Sequence, residues 1–125
     1  MTVLVDTHTL VWALTAPEQL SPKAKNALAE SEVLVSVASL WELILKSGRK
    51  HALVGQPVRW WQKHVTGNGL RVLSIRVQKV SLLEDLPLVH RDPFDRILVA
   101  QSISESVPIV SKDSNFEAYG IQVIW

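Results

Sequence analysis

The chain has 125 residues, enough for one domain and too few for two ordinary ones, and its 47% hydrophobic and 20% charged content excludes a disordered or low-complexity chain. Thirteen Lys and Arg against twelve Asp and Glu leave a formal net charge of +1, so affinity for nucleic acid has to come from local clusters of cations and not from the field of the whole protein. No cysteine is present, which excludes a disulfide framework and a thiolate zinc site and suits a reducing cytosol.

No stretch reaches the roughly 18 apolar residues of a membrane span. The start, "MTVLVDTHTL", has no basic region and carries an acid inside its apolar run, so it does not read as a secretory signal.

Along the chain, "TVLVD" reads as a short buried strand ending in Asp6. "HTLVWALT" then has helical spacing, and Ser21 followed by Pro22 is a cap-and-first-turn signal for the helix "PKAKNALAES". "EVLVSV" is the second strand, and "ASLWELILKSGR" a helix closed near Gly48. "PVRWWQKHVTG" predicts a further glycine-terminated helix, followed by strand "LRVLSI". Residues 76–85 are expected to be helical until Pro87, and the helix opened by "DPFDR" to run to about Glu105. "VPIVSKD" and "IQVIW" complete the strands. Unbroken apolar strands alternating with helices predict one α/β domain over residues 1–125: a three-layer α/β/α sandwich on a mostly parallel sheet.

In such sheets ligands bind beyond the carboxyl ends of the strands, where the strand order reverses. Asp6 ends the first strand and Asp113 follows the fourth, so both acids belong on that edge. Taken locally, every acid has a bland reading. Asp92-Pro93-Phe94-Asp95 fits N-cap to N3 of a helix, Asp6 fits the cap of the helix starting at Thr7, Glu42 pairs with Lys46 four residues on, and Asp113 suits a turn. Taken jointly they are costly, because two carboxylates 4 Å apart repel by about 4 kcal/mol at an effective dielectric of about 20. Gathered on one edge, such a group needs a cation or shared protons. Hard ions such as Mg²⁺ take oxygen ligands and keep several waters. The four histidines, His8, His51, His64 and His90, lack metal-ligand spacing and read as surface or supporting residues.

"LVDTHTLVW", "SVASLWELILK", "HRDPFDRILVAQS" and "IVSKDSNFEAYGIQVI", in this order and over nearly the whole chain, resemble the PIN domain of VapC-type toxins from bacterial toxin–antitoxin pairs. The specific combination is "DPFDR…LVAQ" with an N-terminal "DTH". The resemblance implies a Mg²⁺- or Mn²⁺-dependent endoribonuclease whose catalytic acids are Asp6, Glu42, Asp95 and Asp113. Asp6 and Asp95 are expected as direct ligands, Asp113 as a direct or water-mediated one, and Glu42 as the holder of a metal-bound water or as the base. Asp92 then becomes the helix cap and Asp95 the inward-facing acid. Thr7 and Ser111 are expected either to orient the acids or the ion's waters or to be local cap and turn hydroxyls.

RNA is the implied substrate. Lys46, Arg49 and Lys50, with Arg91 and Arg96, are the candidate backbone contacts, against the ordinary reading of charge runs as solvated faces. Trp60-Trp61 reads as core or interface packing, and Trp12 and Trp41 as core or groove residues. The family also implies an antitoxin lying across the groove and a homodimer. The alternative function is a catalytically weak RNA- or antitoxin-binding module. A response-regulator receiver fits poorly, because "LRVLSIRV" offers no acid after the third strand. In the absence of metal, Asp6→Asn, Asp95→Asn and Asp113→Asn are each expected to leave stability unchanged or raise it.

Overall fold

A computed structural model describes residues 1–125 of the chain. Five strands, β1 (Thr2–Val5), β2 (Glu32–Ser36), β3 (Arg71–Leu73), β4 (Ile109–Val110) and β5 (Val123–Ile124), form one sheet in the order β3-β2-β1-β4-β5. Every neighbouring pair is parallel. The register sets Val5 beside both Val35 and Val110. Six helices surround it: α1 (Thr7–Thr15), α2 (Pro22–Glu30), α3 (Val37–Lys46), α4 (Pro57–Trp61), α5 (Val77–Ser81) and α6 (Pro93–Glu105).

Alternation along β1 explains the layers. Val3 and Val5 face a core with Leu10 of α1, Ala24 of α2 and Trp61 of α4. Leu4 faces the other way, onto Leu98 and Val99 of α6 and Phe116. Both faces are therefore covered, as a purely parallel sheet requires. Each such buried Val or Leu contributes about 1.5–3 kcal/mol, more than the roughly 1 kcal/mol of a helix cap. The apolar faces thus decide where the strands end, and the capping acids are placed by them.

The chain builds the sheet outward from β1 through β2 to β3, then returns to the other side of β1 with β4 and β5. The order reverses between β1 and β4. Asp6 follows one of these strands and Ser111 and Asp113 follow the other.

Some elements differ from expectation. Residues 76–85 split into α5 and a 3-10 turn over Leu82–Asp85. Val77 and Val80 are exposed and do not anchor a longer helix, while Leu82 and Leu83 turn onto the cluster of Phe94 and Ile97. The helix at Pro57 passes after Trp61 into a π-turn over Gln62–Thr66. Trp61 is buried, but Trp41 is 54% exposed, with only its edge against Phe94, so it is not a core residue. No helix is long and apolar enough to cross a membrane.

Candidate functional site

Asp6 leaves the central strand at its carboxyl end and caps α1, its Oδ1 accepting the Thr9 amide at 2.9 Å. Ser111 Oγ donates to Asp6 Oδ2 at 2.5 Å and accepts the Asp113 amide at 3.0 Å. One hydroxyl from the β4 side thus joins the two strand-end acids. Asp113 in turn caps the 3-10 turn at Ser114–Tyr119, with Oδ1 accepting the Asn115 amide at 2.9 Å.

Glu42 stands on α3, 6% exposed. A carboxylate this buried needs partners, and it has two. Thr7 Oγ1 donates to Oε1 at 2.5 Å, and Lys46 Nζ, one helical turn on, lies 2.5 Å from Oε2. Asp92 caps α6 by accepting the Phe94 amide at 2.8 Å, and its other oxygen is 3.7 Å from Lys46 Nζ. Asp95 follows in the first turn of α6.

These side chains meet. Asp6, Thr7, His8, Glu42, Lys46, Asp92, Asp95 and Asp113 line one cavity of about 250 Å³ that has no apolar residue in its wall. Five carboxylates face a single ammonium there. Burial first, and then the charges of Asp92, Glu42 and Asp6, push the Asp95 carboxyl up to about 7 despite the opposing influence of His90. No hydrogen bond to Asp95 offsets that rise. Partial burial lowers the Lys46 ammonium, but the bond to Glu42 and the charges of Glu42, Asp92 and Asp95 outweigh it and raise the group overall. Asp113 behaves oppositely to Asp95. Partial burial works to raise it, yet the bonds from His90 and the Asn115 amide hold it below the usual carboxylate range. Asp113 thus already has a partner, and its removal has less repulsion to relieve than that of Asp95.

A cation suits this donor set. The wall offers hard oxygen ligands, and its least satisfied member, Asp95, is held short of charge by burial and by the acids around it. No three of the acid or imidazole side chains stand close enough together to ligate one ion jointly. An ion that retains several waters needs only a few of them.

The other expected residues distribute unevenly. Thr7 reaches Glu42 and not Asp6. Lys46 turns into the acidic cavity. Arg96 binds the carbonyls of Pro87, Leu83 and Leu86, tying down the segment ahead of α6. Arg49, Lys50 and Arg91 are exposed. Sequence reasoning left His90 as a supporting residue without a partner. Here its Nε2 lies 2.7 Å from Asp113 Oδ2 and its Nδ1 2.9 Å from Tyr119 Oη. The flanking "HRDP" marks the position as noteworthy, but nothing local points to residues 23 and 29 positions away.

Comparison with known proteins agrees with this fold. Ribonuclease VapC22 of Mycobacterium tuberculosis is 28% identical over 123 residues, spanning 94% of this chain and 92% of its own. DNA-bound VapBC of Salmonella typhimurium matches with a TM-score of 0.67 at 21% identity, over 98% of this chain and 96% of that one. VapC20 of Mycobacterium tuberculosis, a toxin that cleaves the sarcin–ricin loop, matches with a TM-score of 0.66 at 19% identity, over 95% of each chain. The sequence pattern of the PIN domain matches residues 3–122, from β1 through β4 with the acids at their ends, and the chain belongs to the PIN domain family.

Proposed function

We propose that the protein is a Mg²⁺- or Mn²⁺-dependent endoribonuclease of the VapC kind, the toxin of a toxin–antitoxin pair. The observation that carries this reading is the wholly polar cavity at the strand-order reversal, where Asp6, Glu42, Asp95 and Asp113 converge and Asp95 lacks a partner. VapC22 is a ribonuclease and VapC20 an RNA-cleaving toxin, which supports RNA as the substrate.

Asp6 and Asp95 would hold the ion directly and Asp113 through one of its waters. When bound, it supplies Lewis-acid polarisation of a phosphodiester and a water of lowered pKa. Asp6 and Asp113 have one oxygen each committed to a cap, which fixes their orientation before any ligand arrives. Glu42 differs in being paired with a full positive charge, the Lys46 ammonium, besides its bond from Thr7, so Glu42 serves to orient a water and leaves direct ligation to the other acids. With Lys46 and Arg96 engaged, exposed Arg49 is the remaining candidate of the three for the RNA backbone.

Trp41, Ile44 and Leu45 lie three and four residues apart on α3 and are all exposed. This apolar stripe suits the cover that a homodimer or a bound antitoxin provides. The VapBC assembly among the structural relatives supports the antitoxin partner.

The test is RNA cleavage with Mn²⁺, with EDTA added, and with Asp6→Asn, reading the new RNA 5′ ends by sequencing. Ends produced by the wild type alone, and lost with EDTA, support the enzyme. Cleavage that persists in EDTA or in Asp6→Asn would overturn it, and RNA binding without cleavage would favour the non-catalytic module.

A further inference from the structure

The His90 imidazole is almost enclosed. Its side chain is 10% exposed and packs between Phe116, at a centroid distance of 4.7 Å, and Tyr119, stacked at 5.5 Å with an interplanar angle of 10°. Packing fixes the ring plane, and hydrogen bonding fixes what each nitrogen can carry. The His90 backbone amide donates to Tyr119 Oη at 2.8 Å, and the same oxygen is 2.9 Å from His90 Nδ1. With one lone pair taken by the amide, Tyr119 can donate its hydroxyl proton to a bare Nδ1. Nε2 faces the Asp113 carboxylate at 2.7 Å. A bare Nε2 there would set lone pair against lone pair, so the proton must sit on Nε2 and point at Asp113.

We propose that His90 and Tyr119 are positioning residues. Tyr119 anchors the His90 ring through the backbone amide and Nδ1, and the Nε2–H of His90 holds the Asp113 carboxylate toward the cavity in the orientation a cation needs. His90 is also two residues before Asp92 and five before Asp95. The same contact therefore registers the entry to α6 against the segment after β4, aligning two acids that arrive from distant parts of the chain. This inference rests on the nuclease reading for its purpose, but not for its geometry.

The experiment uses the full chain. Nitrogen NMR of the metal-free protein reads the His90 tautomer, and electron paramagnetic resonance of free Mn²⁺ reads affinity. The expected result is an Nε2–H ring in the wild type and a 10–100-fold weaker Mn²⁺ affinity in His90→Phe, the range for loss of a ligand's supporting bond. His90→Gln, which keeps a donor toward Asp113, recovers most of that loss. Tyr119→Phe keeps the stacking, removes the bonds that anchor the His90 amide and Nδ1, and weakens Mn²⁺ binding less than His90→Phe. Circular dichroism confirms that each variant is folded. If His90→Phe is misfolded, Tyr119→Phe carries the test by itself. A bare Nε2 in the wild type, or unchanged Mn²⁺ affinity in a folded His90→Phe or Tyr119→Phe, overturns the proposal while leaving the nuclease reading intact. A wild type that cannot hold Mn²⁺ overturns both.

Discussion

Replacing Asp95 with Asn removes the one cavity carboxyl that no neighbour compensates. Its folded pKa is raised to about 7 from the ordinary 3.8, so the folded state binds the proton more tightly than the unfolded chain. The penalty is absent below the unfolded value, grows as pH rises between the two, and is complete above about 7. At about 1.4 kcal/mol per pH unit the rise corresponds to roughly 4 kcal/mol, and screening of a part-exposed group reduces this to about 2 kcal/mol. Asn is nearly isosteric with the protonated acid and carries no charge. Metal-free Asp95→Asn should therefore be more stable than the wild type by about 2 kcal/mol at pH 8 and by under about 1 kcal/mol at pH 5. Urea unfolding with EDTA present reads this as a midpoint shift of about 1 M at pH 8, for a slope of 1–3 kcal/mol per M. Mn²⁺ at about 100 times its Kd should then stabilise the wild type by about 2.7 kcal/mol and the variant by much less, reversing the order. A variant that is less stable at pH 8, or equally shifted at both pH values, would refute the reasoning, because Asp95 would then be a structural residue and not an uncompensated charge.

Asp6→Asn, Asp95→Asn and Asp113→Asn should each abolish Mn²⁺-dependent RNA cleavage, measured as loss of product ends under conditions where the wild type completes the reaction. Asp113→Asn should differ in stability, lowering it slightly above pH 5 and progressively less as pH falls below the ordinary carboxylate value, because the depressed Asp113 carboxyl contributes only while charged; paired pH unfolding curves decide this. Lys46→Met should destabilise the metal-free protein by about 1–3 kcal/mol by leaving buried Glu42 without its ammonium, and Mn²⁺ should restore part of the loss in a thermal melt. Arg96→Ala should cost about 1–3 kcal/mol through its carbonyl bonds while leaving the salt dependence of RNA binding unchanged, since its guanidinium is committed to the chain.

The strands could be read because each is an unbroken apolar run between turn signals, and their carboxyl ends followed from where those runs stop. That placed Asp6 and Asp113 on one edge. At "DPFD", Asp92 caps α6, but Asp92 and Asp95 both line the cavity, so the structure does not divide the pair into a cap and an inward-facing acid. Treating cap and cavity residue as alternatives was less useful, since Asp6 and Asp113 cap with one oxygen and line the cavity as well. Partners at long range were not legible. Lys46 beside Glu42 follows from helical spacing, but its approach to Asp92 depends on how α3 meets α6. The break in residues 76–85 likewise came from tertiary packing of Leu82 and Leu83, which local periodicity does not encode.

The contact between Ser111 and Asp6 joins residues 105 positions apart, and β1, the first strand made, lies at the centre of the sheet with one flank open until β4 is in place. A partly synthesised chain thus carries most of its acids but no assembled pocket. A protein whose finished form attacks RNA would be harmless while still emerging from the ribosome, and fragments cut short before Ser111 would be inert for the same reason.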